Sequence, residues 1–273
     1  MERKLVKQGR NALTVTLPSQ WTAARGLNAG KSVFIQEQGQ GLFVSSAIIT
    51  KDSTFTVHGL EKSRGVIKHA MMGAYVQGYD RIILESKEMV LAMHLSQNLP
   101  GMMIKDQTES RTVFESIATK EENLVMILKR VTFQIKLVAS SLVDLSSKKI
   151  DLETFEGHER MLNGTCAYAL RYLNKYSVNT PEYKYFMIIS QIEQAGDTLS
   201  YLGKNGCSLK LAKIILQGIS DYTIALTEKD PATIREKRDA FVKQIGTSDF
   251  HSGVAYTMVH GLYNYLGYIA LKE

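Results

Sequence analysis

Three architectures in succession are predicted along this chain of 273 residues: short strands, then a small α+β segment, then helices alone. Three observations predict them. Residues 1–47 alternate apolar and polar positions in short β-forming runs broken by Gly and Pro. Residues 48–118 switch between helical and strand periods. Residues 119–273 keep the helical period throughout and contain a repeat, in which Ile192-Glu193-Gln194-Ala195-Gly196-Asp197-Thr198-Leu199 lies over Val259-His260-Gly261-Leu262-Tyr263-Asn264-Tyr265-Leu266. The repeat divides the helical part into 119–205 and 206–273.

At the front, Lys4–Lys7 and Ala12–Leu17 are predicted strands separated by Gly9-Arg10-Asn11. Pro18 ends the second strand, Ser19 is placed to N-cap a short helix over Gln20–Arg25, and Gly26 stops it. Ser32–Glu37 and Leu42–Ser45 form a hairpin around Gly39-Gln40-Gly41. So few large apolar side chains leave little core, and this segment is expected to dimerise to bury its sheet.

The middle segment reads as strand Ser53–Val57, helix Leu60–Gln77 closed by Gly78, buried strand Arg81–Glu85, helix Met89–Leu99, and strands Met102–Asp106 and Arg111–Ile117. That is a βαβαββ order. His58, His69 and His94 share no spacing and are expected in surface or capping roles.

Six helices follow. Thr119 and Glu122 make a capping box for the first, which runs to about Ser146. Asp151 caps the second, Thr180-Pro181-Glu182 opens the third, Ser208 starts the fourth, Asp230-Pro231 the fifth, and Ser248 or Asp249 the sixth. On the third helix Tyr185, Ile189, Ile192, Gly196, Leu199 and Gly203 are spaced 4-3-4-3-4, a seam that packs neighbours at small angles.

Composition bounds the function. With 44% apolar and 22% charged residues, the chain can bury cores and is neither disordered nor fibrous. No apolar run approaches the roughly 18 residues of a membrane-spanning helix. The N-terminal residues have no apolar stretch behind them, so a secretory signal is not expected. Cys166 and Cys207 fall in apolar helical patterns and are expected as buried hydrophobes in a reducing cytoplasm. The net charge of +6 is uneven: residues 1–50 carry +4 and residues 51–118 are neutral. Arg3, Lys4, Lys7 and Arg10 place four cations in ten residues, more than solubility requires, and favour a polyanionic partner.

Carboxylates carry the other signal. Glu193 and Asp197 lie one turn apart and point the same way. Glu159 and Asn163, on the preceding helix, have the same spacing. Were those helices antiparallel neighbours, three carboxylates and an amide would converge as an oxygen donor set for a divalent or ferric ion. A solvated acidic face is the alternative. The second copy has His260 and Asn264 instead, and Arg235/Asp239 offers one carboxylate. Neither copy has the Glu-x-x-His pair of di-iron bundle enzymes, and no phosphate loop or nucleophile–base pair is visible, so no enzymatic activity is expected.

The phrase Arg3-Lys4-Leu5-Val6-Lys7-Gln8-Gly9-Arg10-Asn11-Ala12-Leu13-Thr14-Val15-Thr16-Leu17-Pro18, continued through Trp21, Gly26-Leu27 and Gly30-Lys31-Ser32-Val33, resembles the AbrB/MazE/SpoVT family of swapped-hairpin DNA-binding modules. The resemblance implies two interleaved chains. It also implies that Arg3, Lys4, Lys7 and Arg10 contact phosphates or base edges, with Gln8 and Asn11 as hydrogen-bonding readers.

Ile188-Ile189-Ser190-Gln191-Ile192-Glu193-Gln194-Ala195-Gly196-Asp197, with Glu159 to Arg171, resembles the PhoU family of phosphate-uptake regulators. That family folds as two three-helix bundles with metal-binding acidic motifs. The resemblance implies a metal site at Glu159, Asn163, Glu193 and Asp197. It is weakened by Asn163 in place of the family's Asp, and by Gln194 in place of its Arg. Arg64-Gly65-Val66-Ile67 and Gly73–Ile82 look like the middle of archaeal-type fusions of the two families. The reading is a cytoplasmic, homodimeric DNA-binding regulator of phosphate uptake. The alternative is an accessory signalling protein that docks on a phosphate transporter or sensor kinase without DNA.

Overall fold

A computed structural model describes residues 2–10, 12–38, 41–46, 54–60, 62–87, 89–117, 123–177, 181–245 and 249–270. The chain divides into two compact units, Met1–Lys51 and Asp52–Glu273.

In the first unit, β1 (Val6–Gln8) pairs antiparallel with β2 (Ala12–Thr14), Lys7 opposite Leu13. Gly9 turns the chain between them at φ 70°. Both strands are shorter than the sequence predicts: pairing starts at Val6 rather than Lys4 and stops at Thr14 rather than Leu17. A two-stranded ribbon exposed on both faces has no third strand to hold its ends. The helix α1 (Ser19–Ala24) begins at Ser19 itself, with Pro18 at the N-cap and no side-chain cap. Ser19 is therefore not the capping residue; its carbonyl accepts the Thr22 hydroxyl at 3.0 Å. Gly26 ends the helix at φ 61°. Strands β3 (Phe34–Gln38) and β4 (Gly41–Ser45) form the expected hairpin. Gly39, Gln40 and Asn11 lie outside the described residues. None of the unit's described residues is buried.

The second unit opens with β5 (Thr54–His58), α2 (Arg64–Val76), β6 (Arg81–Glu85), α3 (Met89–Gln97), β7 (Met102–Gln107) and β8 (Arg111–Ser116), the predicted βαβαββ order. The sheet order is β5-β6-β8-β7, with β5 and β6 parallel. Strand β6 alternates, Ile82 and Leu84 buried between half-buried neighbours, so only one face is in the core rather than both. Met71, Tyr75, Ile82 and Phe114 are its most buried members.

Six long helices follow: α4 (Leu124–Ser146), α5 (Leu152–Tyr172), α6 (Tyr185–Lys204), α7 (Leu209–Glu228), α8 (Pro231–Ile245) and α9 (Phe250–Ala270). Helices α4–α6 pack together as one three-helix group and α7–α9 as another. The groups join where α4 meets α7 and α6 meets α9, around one shared apolar core. Asp151, Ser208, Asp230 and Asp249 cap their helices as expected, each accepting the backbone N–H three residues on. Helix α4 is capped by Asn123, whose Oδ1 accepts Met126 N–H at 3.0 Å; Thr119, Glu122, Thr180 and Ser248 lie outside the described residues. Helix α5 runs on into a π-helical turn (Leu173–Ser177), and α6 is entered through a tighter 3₁₀ turn (Pro181–Lys184).

Glycines set the closest helix approaches. A Cβ on Gly218 of α7 would stand 2.5 Å from Phe241 Cδ2, a ring sealed in the core. Gly218→Ala should lower the urea midpoint, with overpacking outweighing alanine's better helix propensity for a net loss of about 1–2 kcal/mol.

The layers of the second unit are tied at the C-terminus of α2. That end leaves carbonyls without intrahelical partners. Arg171 of α5, only 3% exposed, donates from Nη1 to the Tyr75 carbonyl at 2.7 Å. Its guanidinium sits 4.9 Å from the Tyr75 ring centroid, and Nη2 is 3.5 Å from Asp80 Oδ1. Asn174 donates to the Val76 carbonyl at 2.9 Å, and Lys175 pairs with Asp80.

Candidate functional site

Two candidate sites lie in different units. In the first unit Arg3, Lys4, Lys7, Gln8 and Arg10 are all exposed. Lys7 and Gln8 belong to β1, Arg10 to the turn after Gly9, and Arg3 and Lys4 precede the strand. Alternation along the strand puts Lys7 on one face of the ribbon, and Val6 and Gln8 on the other. The Thr14 hydroxyl donates to the Val6 carbonyl at 3.1 Å and pins the register. Such a cationic ribbon suits phosphate contacts, with amide and guanidinium groups able to read base edges. Leu5, Val6, Leu13, Val15, Phe34, Ile35 and Leu42 are exposed in the same unit. That is seven large apolar side chains on a unit none of whose described residues is buried.

In the second unit, small residues on α6 let α5 come close. A Cβ on Gly196 would lie 2.6 Å from Leu162 Cδ2 and 3.7 Å from Asn163 Oδ1, and one on Gly203 would lie 2.7 Å from Phe155 Cε1. This packing brings the Glu159–Asn163 pair of α5 toward Glu193 and Asp197 of α6. Asn163 Nδ2 donates to Glu159 Oε1. Burial raises the Glu159 carboxyl above its ordinary range; the Asn163 bond opposes that rise, and Asp197 adds to it. Burial also raises Glu193, helped by the charges of Asp197 and then Glu159. The three carboxylates therefore share one electrostatic environment. The Cys166 thiol is pushed up by burial and then by Glu193 and Asp197.

The donor chemistry fits a hard cation. Only oxygen atoms are offered, and Asn163 Oδ1 is a buried acceptor without a hydrogen-bond partner. Among the described residues, however, no three His, Cys, Asp or Glu groups are gathered tightly enough to hold one ion. In the second repeat, Asp239 accepts from Arg238 at 2.9 and 3.1 Å, and His260 lies 3.1 Å from Asn264 and stacks on Tyr256. His58 pairs with Glu85 at 2.6 Å and His69 meets the Gly65 carbonyl, both local roles.

Raised carboxylates make a stability prediction. Their protonated forms are favoured by the folded state, so their contribution is fullest at or below the ordinary value of 4.5 and declines as pH rises through the raised range. Glu193→Gln should flatten that decline and raise stability at pH 7 by about 0.5 kcal/mol, read from melting curves across pH.

Sequence reasoning missed the Arg171, Asn174, Lys175 and Asp80 clamp, which joins the helix carrying Glu159 to the α+β layer. The one local signal was Gly78, which ends α2 at φ 92°.

No family model, no curated protein and no solved structure matches the chain. Among the described residues, no helix is long and apolar enough to cross a membrane.

Proposed function

We propose that the chain is a cytoplasmic, homodimeric DNA-binding regulator of phosphate uptake, with an AbrB-like front and a PhoU-like helical sensor. The observation that carries this reading is the first unit. It combines exposed Arg3, Lys4, Lys7 and Arg10 with seven exposed large apolar side chains, and none of its described residues is buried. Dimerisation would cover the apolar side chains and double the cationic strip, which favours a twofold-related DNA site. In the helical part, Glu159, Asn163, Glu193 and Asp197 would hold a hard cation. The cation would supply the positive charge that relieves their mutual repulsion. The clamp at Arg171 offers a physical route from that patch to the α+β layer.

Iterative selection from a random duplex library, using the full chain, tests the reading. It should enrich two half-sites related by twofold symmetry. A library that stays unenriched would favour an accessory protein that docks on a transporter or sensor kinase. The cation is tested separately: Mn²⁺ should raise the melting temperature of the wild type but not of Glu193→Gln.

A further inference from the structure

The outward face of α4 is apolar and basic at once. Val125, Met126 and Phe133 are 59%, 51% and 64% exposed. Lys129, Arg130 and Lys136 are exposed on the same helix, which has no acidic residue before Asp144. Beside Phe133, α7 presents Ile224, itself 44% exposed. The two helices bound a groove of about 380 Å³ whose lining includes Lys129, Phe133, Lys136 and Ile224, with Glu228 as its one acidic member. Among the described residues neither Lys129 nor Lys136 forms an ion pair.

These features define a complementary surface. Two large apolar side chains standing side by side in water favour being covered. Lys129 and Lys136 are seven residues apart, which is two helical turns or about 10.5 Å along α4. A partner helix lying along the groove would meet both with carboxylates at i and i+7, while its apolar edge covers Phe133 and Ile224. The seat between the two helices is shallow and open, and two lysines two turns apart along α4 match a rod laid along it. A second copy docked groove to groove would gather four lysines against only two carboxylates, those of Glu228.

We propose that the α4–α7 groove docks an amphipathic helix of another protein, with an apolar edge flanked by acidic residues two turns apart. This inference is independent of the DNA reading.

The test uses the full chain and a fluorescein-labelled designed helix of about 18 residues, with leucines along one edge and glutamates seven apart beside them. Its twin carries Gln for those Glu. Saturable anisotropy is expected with the Glu peptide. It should weaken about tenfold in Lys129→Glu/Lys136→Glu, in Phe133→Ser, with the Gln peptide and in high salt. These side chains are exposed, so unchanged melting temperatures are expected and separate lost docking from lost folding.

Absence of binding, or equal binding by wild type and variants, overturns the proposal. So does binding to phosphatidylglycerol vesicles that the same variants abolish, which would make the face a lipid contact. Assembly beyond the dimer that they abolish would make it a contact between copies, and overturns the proposal as well.

Discussion

Arg171→Ala should cost about 3 kcal/mol of stability, the scale expected when a buried, multiply bonded cation is removed. The side chain is 3% exposed and holds the Tyr75 carbonyl at 2.7 Å, the Tyr75 ring and the Asp80 carboxylate. Its loss removes the charge-assisted donor from the Tyr75 carbonyl, which keeps only the Gly78 N–H at 3.0 Å. Asp80 keeps Lys175, so the loss falls mainly on the guanidinium bond to that carbonyl and on the ring contact. Asp80→Asn should cost less, and the double variant should lose less than the sum, because both changes break the same pair. Urea unfolding of the four proteins checks this. Strict additivity would show that Arg171 and Asp80 do not act together.

Replacing Lys4, Lys7 and Arg10 with Ala should weaken DNA binding by about 100-fold near 0.15 M salt. A dimer loses three cations from each protomer, so the dependence of log K on log salt should shallow by about 3 to 5. Stability should be almost unchanged, because all three side chains are exposed in the structure. Replacing Gln8 with Ala instead should leave the salt slope intact and reduce discrimination between sequences, since an amide reads bases without neutralising phosphate.

What was legible in the sequence was local. Asp151, Ser208 and Asp230 announce helix starts because a cap acts within three residues, and each bonds as its position implies. The 4-3-4-3-4 seam on α6 announced its own packing face, and Ile189, Ile192 and Leu199 are fully buried. The i, i+4 spacing of Glu193 and Asp197 was equally plain. What it could not decide was whether α5 would bring Glu159 beside them. That depends on Gly196 and Gly203 admitting Leu162 and Phe155, a contact between helices. The Arg171 clamp was illegible for the same reason: its donor and acceptor are 96 residues apart. At the front, strand length misled because alternation continued to Leu17 while pairing stopped at Thr14. Ladder bonds need a neighbouring strand, and the pattern alone does not supply one.

The measurement that tests the central claim most directly is fluorescence anisotropy of the full-length protein on labelled duplex DNA across a salt series. Phosphate-transporter promoter duplex and a shuffled duplex of equal composition would be compared. The account predicts tighter binding to the promoter duplex, a steep negative dependence on salt, and a stoichiometry of two chains per site. Equal, weak binding to both duplexes, at concentrations where sedimentation shows a dimer, would contradict it.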